Sequence, residues 1–388
     1  MTRAIVDLDA IGHNTRVLAG AAGRAQVMAV VKANGFGHGS VPVARAALAH
    51  GASWLGVTSL REAMELREAG IGAPILMWLY TPDDVLDEAL LAGVDISVSS
   101  ARALEALGRT AGRLGRAAAV HLKADTGLSR AGATAGDWPH LLTIAGKMQA
   151  AGLITVRGLW SHLATAEDPA DPGLHRQLLD FGHARAEAAA AGFTGPLIHL
   201  ANSAAALQLP QARFDLVRPG IALYGIEPVP GRSFGLRPAM TLESTVILTK
   251  RVAPGTGVSY GHDHVVERET TLALVPAGYA DGVPRRVTGR AEVTVHGVRR
   301  PIVGRVAMDQ VVVDVGDLPV SAGDRVVLFG AGGPSVDEWA AWADTNPHEI
   351  LTGIGGRVPR CYRGRSAGKT ISTRSPSRPE ECALMAPS

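Results

Sequence analysis

Two cysteines in 388 residues, Cys361 and Cys382, are too few for a disulfide framework or a cysteine-rich metal site. Neither sign of charge dominates. The 38 basic and 36 acidic side chains leave a net +2 with no basic block, which argues against nucleic acid and anionic membranes as partners. No apolar run approaches the roughly 18 residues of a membrane span. Asp7 and Asp9 interrupt the N-terminus where a secretory signal needs an unbroken apolar stretch. The 46 glycines follow no fixed repeat, so collagen-like and low-complexity architectures fall away. A 46% hydrophobic, 19% charged composition has ample apolar material for a core. The expectation is a globular cytoplasmic protein with one large domain, or a large and a small one.

From Gln26 to about Tyr224, short apolar runs alternate with longer segments rich in good helix formers. Eight such runs read as strands: Val27–Val31, Trp54–Thr58, Pro74–Tyr80, Asp95–Ser99, Ala118–Ala124, Arg157–Leu163, Pro196–Leu200 and Arg213–Val217. Strands without polar alternation, each followed by a helix, predict a parallel (β/α)8 barrel over residues 12–233; a doubly wound open sheet is the alternative. After about Phe234 the pattern changes to Val-rich segments between Gly and Pro turns. Thr245–Leu248, Thr271–Val275, Ala291–Val295, Gln310–Val315 and Arg325–Phe329 predict a mainly antiparallel β domain, with a helix over Ser335–Ala343. This second domain takes 234–365 and the first eleven residues, whose strand Ala4–Leu8 could pair with either unit. From 366 onward Ser, Pro, Arg and Glu predict a disordered tail.

Several motifs fail on context. Gly368-Lys369-Thr370 has Arg363 where a P-loop needs its first glycine. Gly35-Phe36-Gly37-His38-Gly39 lacks the full dinucleotide fingerprint, and His262 with His264 lacks a further metal ligand. Gly257-Val258-Ser259-Tyr260-Gly261 fits a nucleophile elbow formally, but loop and strand follow it instead of a helix, so a hydrolase is disfavoured.

In a (β/α)8 barrel, chemistry sits at the C-terminal ends of the strands. Here Lys32 ends the first strand, Lys123 and Asp125 the fifth with Arg130 in the loop beyond, His162 the sixth, His199 the seventh and Arg218 the eighth. Each alone has a bland reading as a solvated lysine, a core histidine or a turn arginine. Five of eight strand ends carrying Lys, His or Arg point instead to one shared pocket. Asn202 and Ser203 open a helix after the seventh strand, and with the Gly220 and Ile221 amides they form a natural anion cradle between strands seven and eight. A strand-end lysine beside a phosphate cradle suggests pyridoxal 5'-phosphate.

At this point the sequence closely resembles the alanine racemases, the fold-type-III pyridoxal phosphate enzymes. The resemblance rests on Val31-Lys32-Ala33-Asn34 with Gly37-His38-Gly39, on Lys123 to Arg130, His199 to Ala205 and Arg218 to Gly225, and on three segments of the β domain. Those are Val258-Ser259-Tyr260-Gly261, Gly278-Tyr279-Ala280-Asp281-Gly282 and Gly304 to Gln310. They fall in order from Ala4 to about Arg363.

The resemblance implies racemisation of L- and D-alanine by two bases, supplying D-alanine for cell-wall synthesis. Lys32 would carry the cofactor and act on one face of Cα. Tyr260, arriving from the second subunit of a head-to-tail homodimer, would act on the other. Arg218 would face the pyridine nitrogen, with His162 and His199 orienting it and tuning Tyr260. Ser203 with the Gly220 and Ile221 amides would hold the phosphate, with Asn202 also binding the cofactor. Arg130 and the Met308 amide, the latter from the partner chain, would hold the substrate carboxylate, with Tyr279 also binding the substrate. Lys123 would be carbamylated; the plain alternative is a salt bridge to Asp125. Phe36 and His348 stand where the family commonly has phosphate-facing tyrosines. The resemblance implies no metal. A broader serine racemase, a non-catalytic pyridoxal phosphate carrier and a decarboxylase are the competing readings.

Overall fold

The computed structural model describes residues 1–364. The tail expected to be disordered and Gly368-Lys369-Thr370 lie outside them. The chain divides into two compact units. One comprises Met1–Ala10, Phe36–Pro42 and the chain from Pro238; the other comprises Ile11–Gly35 and Val43–Arg237.

Strand β1 (Arg3–Asp7) opens the chain. Eight parallel strands then follow in the second unit: β2 (Gln26–Val30), β3 (Trp54–Val57), β4 (Ile75–Met77), β5 (Asp95–Val98), β6 (Ala118–Lys123), β7 (Ile154–Trp160), β8 (Leu197–His199) and β9 (Leu216–Val217). They form one sheet in the order β8-β7-β6-β5-β4-β3-β2-β9. The outer strands β8 and β9 meet without a regular ladder. Asp215 N donates to Ile198 O at 3.0 Å, the Asp215 carboxylate accepts from Ile198 N at 2.8 Å, and Arg218 N donates to Ala201 O at 2.9 Å. These bonds close the barrel. Strands β3, β4 and β5 are buried at every position, as expected of parallel strands covered on both faces.

The helices between them carry legible punctuation. Helix Ala101–Leu114 starts where Ser100 accepts from Ala103 N at 3.3 Å, and it ends on Gly115 at φ 63°. Leu104, Leu107 and Ala111 form its buried stripe. The eighth strand is shorter than Arg213–Val217. Phe214 takes φ 46°, and the Arg213 side chain turns back to the Ala206 and Leu207 carbonyls, so extended pairing starts only at Leu216.

The other unit is built on a nine-stranded sheet. Its later strands are β10 (Met240–Thr245), β11 (Leu248–Val252), β14 (Thr270–Val275), β15 (Glu292–Val295), β16 (Val298–Val303), β17 (Val311–Gly316), β18 (Arg325–Phe329) and β19 (Arg360–Arg363), and β12 (Gly257–Val258) with β13 (His264–Val265) makes a separate ribbon. The order is β11-β14-β17-β16-β15-β18-β10-β1-β19, antiparallel throughout except for the β1–β19 pair. The opening strand therefore belongs to this sheet. The expected strand Thr245–Leu248 is instead the break between two strands. Thr245 pairs with Arg325 and Leu248 with Leu274, so the chain crosses there from one arm of the sheet to the other. Strand β16 was hidden by Arg299-Arg300-Pro301, which breaks the apolar alternation. It joins β15 through His296 and Gly297, both at positive φ as a two-residue hairpin turn requires. The expected helix runs over Val336–Ala343, with Ser335 and Glu338 forming a reciprocal cap.

Candidate active site

Lys32 leaves β2 at the C-terminal end of the barrel, as its position in the sequence suggested. The next residues turn left-handed: Ala33, Asn34 and Gly35 have φ 52°, 53° and 59°. Such a conformation costs an L-residue roughly 1–2 kcal/mol, so something must hold it. Glu62, only 8% exposed, does so. Its Oε1 accepts from Ala33 N at 2.7 Å, and its Oε2 accepts from both N and Oγ1 of Thr58 at 2.7 Å. Glu62 thus ties the lysine's turn to the end of β3. Sequence reading missed it; Ser59-x-x-Glu62 is a legible helix cap, but nothing local links it to Ala33. Burial, and then the charge of Arg130, push the Lys32 amine below its ordinary range, with Glu62 opposing.

Arg218 is buried at the end of β9. It donates to Ser161 O at 2.7 Å, Leu200 O at 3.1 Å, His199 Nδ1 at 3.1 Å and, at the limit of contact, His162 Nδ1 at 3.5 Å. Its guanidinium lies 4.7 Å from the centroid of the Trp160 ring. None of these partners is a carboxylate. Burial lowers Arg218 to about 9, which leaves it cationic at neutral pH. Lys123, also buried, sits 4.3 Å from the same ring centroid. Burial and the charges of Arg218 and Arg130 pull it down to about 8 against the pull of Asp125. The Asp125 carboxylate accepts from the amides of Gly127 and Ser129, both at 3.1 Å. Burial, followed by Arg218, Arg130, Lys123 and Lys32, takes His162 to about 3, so its imidazole is neutral. Arg130 is exposed, yet its charge registers at Lys32, Lys123 and His162.

The loops after β8 and β9 are joined by Ser203, whose Oγ accepts from Gly220 N at 2.9 Å and Ala222 N at 3.3 Å. Ile221, the other residue of the expected anion cradle, opens the 3-10 turn Ile221–Tyr224. Asn202 caps helix Ser203–Gln208 by accepting from Ala205 N at 3.1 Å.

In the β unit, the three matched segments come together. A Cβ on Gly278 would lie 2.3 Å from Met308 O, and one on Gly304 would lie 2.7 Å from Val258 O, so glycine is needed for both approaches. Tyr279 N and Ala280 N donate to Ala307 O and Met308 O at 3.0 and 2.9 Å. Arg357, missed in the sequence, braces this cluster by donating to Asp281 at 2.7 Å and Asp309 at 2.8 Å. Tyr260, Tyr279 and Met308 are 70%, 44% and 54% exposed. Ser259 is no nucleophile: its hydroxyl donates to Arg305 O at 2.8 Å, and a 3-10 turn and β13 follow it. Phe36 and His348 lie against each other, ring centroids 5.8 Å apart.

The sequence profile of the alanine racemase N-terminal domain matches residues 6–228, and that of the C-terminal domain matches 239–362. The chain belongs to the alanine racemase family. An alanine racemase of Thermobifida fusca is 53% identical over 363 residues, 92% of this chain and 97% of that protein. One from Mycolicibacterium smegmatis is 49% identical over 366 residues, 92% and 94% of the two chains. The crystal structure of alanine racemase from a D-cycloserine-producing Streptomyces lavendulae has a TM-score of 0.92 at 49% identity, covering 94% of this chain and 97% of its own. The Bacillus anthracis alanine racemase, solved with bound L-Ala-P, has a TM-score of 0.87 at 34% identity, covering 94% and 95%. Members of this family are isomerases, and both units of the fold have their counterparts in it.

Proposed function

We propose that this protein racemises alanine with pyridoxal 5'-phosphate held at the C-terminal mouth of the barrel. The observation that carries the reading is the gathering of Lys32, Lys123, Arg130 and Arg218, whose charges act on one another and on His162. Among the described residues, no hydrogen bond of the buried Arg218 ends on a carboxylate. Such a site calls for an anion, and Ser203 with the Gly220 and Ile221 backbone stands where barrels of this type bind phosphate. The relative solved with L-Ala-P supports the same substrate class.

When bound, the cofactor supplies an aldehyde to capture the substrate amine and a conjugated ring to accept electron density from Cα. The protein does the rest. Lys32, its amine already lowered toward the working pH, moves the proton on one face of Cα. Tyr260 of the partner subunit moves it on the opposite face, so the active site is completed by a head-to-tail homodimer. Arg218 can only donate, so placed at the pyridine nitrogen it would leave that nitrogen unprotonated and make the ring a weaker electron sink. That favours return of the proton to Cα over transamination. His162 and His199 hold Arg218, while Arg130 and the Met308 amide receive the substrate carboxylate and Tyr279 also meets the substrate. The working place is the cytoplasm, and the product D-alanine serves cell-wall synthesis.

Incubation of L-alanine with protein and cofactor in heavy water tests the reading. Loss of optical rotation with deuterium at Cα is the expected result. A yellow protein that leaves alanine unchanged would favour the carrier, and serine in the same assay sets the breadth.

Two further outcomes follow from individual residues. Lys123, with two cations pressing on it and its amine near pH 8, exposes a neutral nitrogen to carbon dioxide at mildly alkaline pH. Carbamylation would replace a repelled cation by an anion that orients Arg130. A carbamate signal is expected by 13C NMR after labelling with 13C-bicarbonate, and it should be absent in Lys123→Ala. For Phe36→Tyr, a hydroxyl restored toward the phosphate should tighten cofactor binding by roughly tenfold or more, since a hydrogen bond to a charged group contributes about 1.5–3 kcal/mol. Fluorescence titration of the cofactor-free protein measures it, and an unchanged dissociation constant would reject the role.

A further inference from the structure

Behind Arg218, a line of buried polar side chains runs through the barrel. His199 Nδ1 receives Arg218; His199 Nε2 lies 2.8 Å from His121 Nδ1; His121 Nε2 lies 3.0 Å from Asp95 Oδ2; and Arg157 donates to Asp95 Oδ1 at 2.8 Å. Both imidazoles are fully buried and Asp95 is 1% exposed, while the Arg157 side chain reaches the surface at 40%. The line joins Arg218 after β9 to Asp95, the first residue of β5. Its members are sterically fixed. The His199 ring stacks on Trp160 at 5.6 Å and 8°, and the His121 ring meets Trp54 edge-on at 5.5 Å. Gly158 makes the room, for a Cβ there would lie 2.0 Å from His121 Nδ1.

We propose that Asp95 is a positioning residue for Arg218, acting through the tautomers of His121 and His199. The chemistry of the chain allows one sense only. A guanidinium has no acceptor, so His199 Nδ1 must be bare and its proton must sit on Nε2. That proton points at His121 Nδ1, which must also be bare, so His121 carries its proton on Nε2 and gives it to the Asp95 carboxylate. Arg157 fills the other carboxylate oxygen and fixes the group that sets the direction. Every bond then has one donor and one acceptor, and a buried cation that has no carboxylate partner among the described residues meets a well-aligned acceptor. Reversing the chain would set an N–H of His199 against an N–H of Arg218 and displace the guanidinium. The link from Arg218 to the reaction rests on its proposed place at the cofactor ring; the hydrogen-bond chain itself does not.

Asp95→Asn is the informative change. Its amide can offer oxygen to His121 only by pointing its NH2 at the N–H of Arg157. Turned the other way, it donates to His121 and reverses both tautomers. In cofactor-free protein labelled with 15N in histidine and arginine, both rings of the parent are expected as Nε2–H. In Asp95→Asn both should switch to Nδ1–H, and the Arg218 guanidinium signal should move. Asp95→Asn with Arg157→Leu removes the conflict, so it should return the parental tautomers and the Arg218 signal. An Nδ1–H on either ring of the parent overturns the proposal, whether or not the variants fold. So do unmoved tautomers in Asp95→Asn, or switched tautomers with an unmoved Arg218. In the loaded enzyme, Asp95→Asn should lower kcat by roughly 10–100-fold, the scale on which outer partners of a bound group act, and raise transamination relative to racemisation, with rescue in the double variant. If the NMR changes occur and that ratio stays constant, the chain stands and it is the placement of Arg218 at the cofactor that fails.

Discussion

Tyr260→Phe is expected to lower alanine racemisation by about two to four orders of magnitude, the usual contribution of a positioned acid–base group. The substitution removes one oxygen and leaves the ring. The local backbone does not depend on that oxygen. Ser259 and Gly261 turn the chain at φ 61° and 72°, Ser259 Oγ is anchored on Arg305 O at 2.8 Å, and Gly304 packs against the Val258 carbonyl. A folded variant with its cofactor bound is therefore expected. With two bases on opposite faces, the loss should be lopsided. In heavy water, the enantiomer whose Cα hydrogen faces Lys32 should still exchange it for deuterium, while the other exchanges far more slowly and neither is converted. Equal, undiminished exchange of both enantiomers would place the second base elsewhere. Serine, if it is a substrate, should show the same asymmetry, because the lesion lies in proton transfer and not in side-chain recognition.

The barrel was legible because strands buried on both faces read as unbroken apolar runs, so a polar residue at a strand end stands out. Lys32, Lys123, His199 and Arg218 were found in that way. His121 was not, although it lies within the run Ala118–Ala124, since a histidine inside an apolar strand is ordinarily a satisfied core residue. Asp95 is the first residue of the expected strand Asp95–Ser99, and nothing local ties it to His121. Only the closed barrel brings residues 95, 121, 157, 199 and 218 into one line, and no spacing in the sequence encodes that closure. Glu62 shows the same division: its bond to Ser59 is local and readable, while its bond to Ala33 spans 29 residues. In the β unit, the alternation rule failed at β16, where Arg299-Arg300-Pro301 interrupts the pattern, and at Val246–Ile247, where an apolar stretch is the step between two strands. Both failures are tertiary. The pairing partner, not the segment's own composition, decides where extended structure begins. The elements of the β unit that bear on chemistry were nevertheless marked by glycines, because Gly278 and Gly304 are required where backbones nearly touch.

Mixing Lys32→Ala with Tyr260→Phe should restore activity that neither variant has alone. Tyr260 is 70% exposed, and Tyr279 and Met308 in the matched cluster are exposed as well, although all three are large aromatic or apolar side chains that a solitary chain has no reason to present. If they complete the barrel mouth of a neighbouring subunit, each site takes its lysine from one chain and its tyrosine from the other. A dimer of the two variants then holds one site with both bases and one with neither. After full subunit exchange at equal amounts, half the dimers are mixed and each has one good site, so about a quarter of parental activity returns. The complementary mixture sharpens the outcome. When the parent is exchanged with the double variant Lys32→Ala/Tyr260→Phe, every mixed dimer loses both sites, and the activity contributed by the parent should fall by about half. If each chain built its own site, the first mixture would stay inactive and the second would keep all of the parent's activity. The two arrangements therefore predict opposite results in both experiments, and neither requires the dimer to be seen directly.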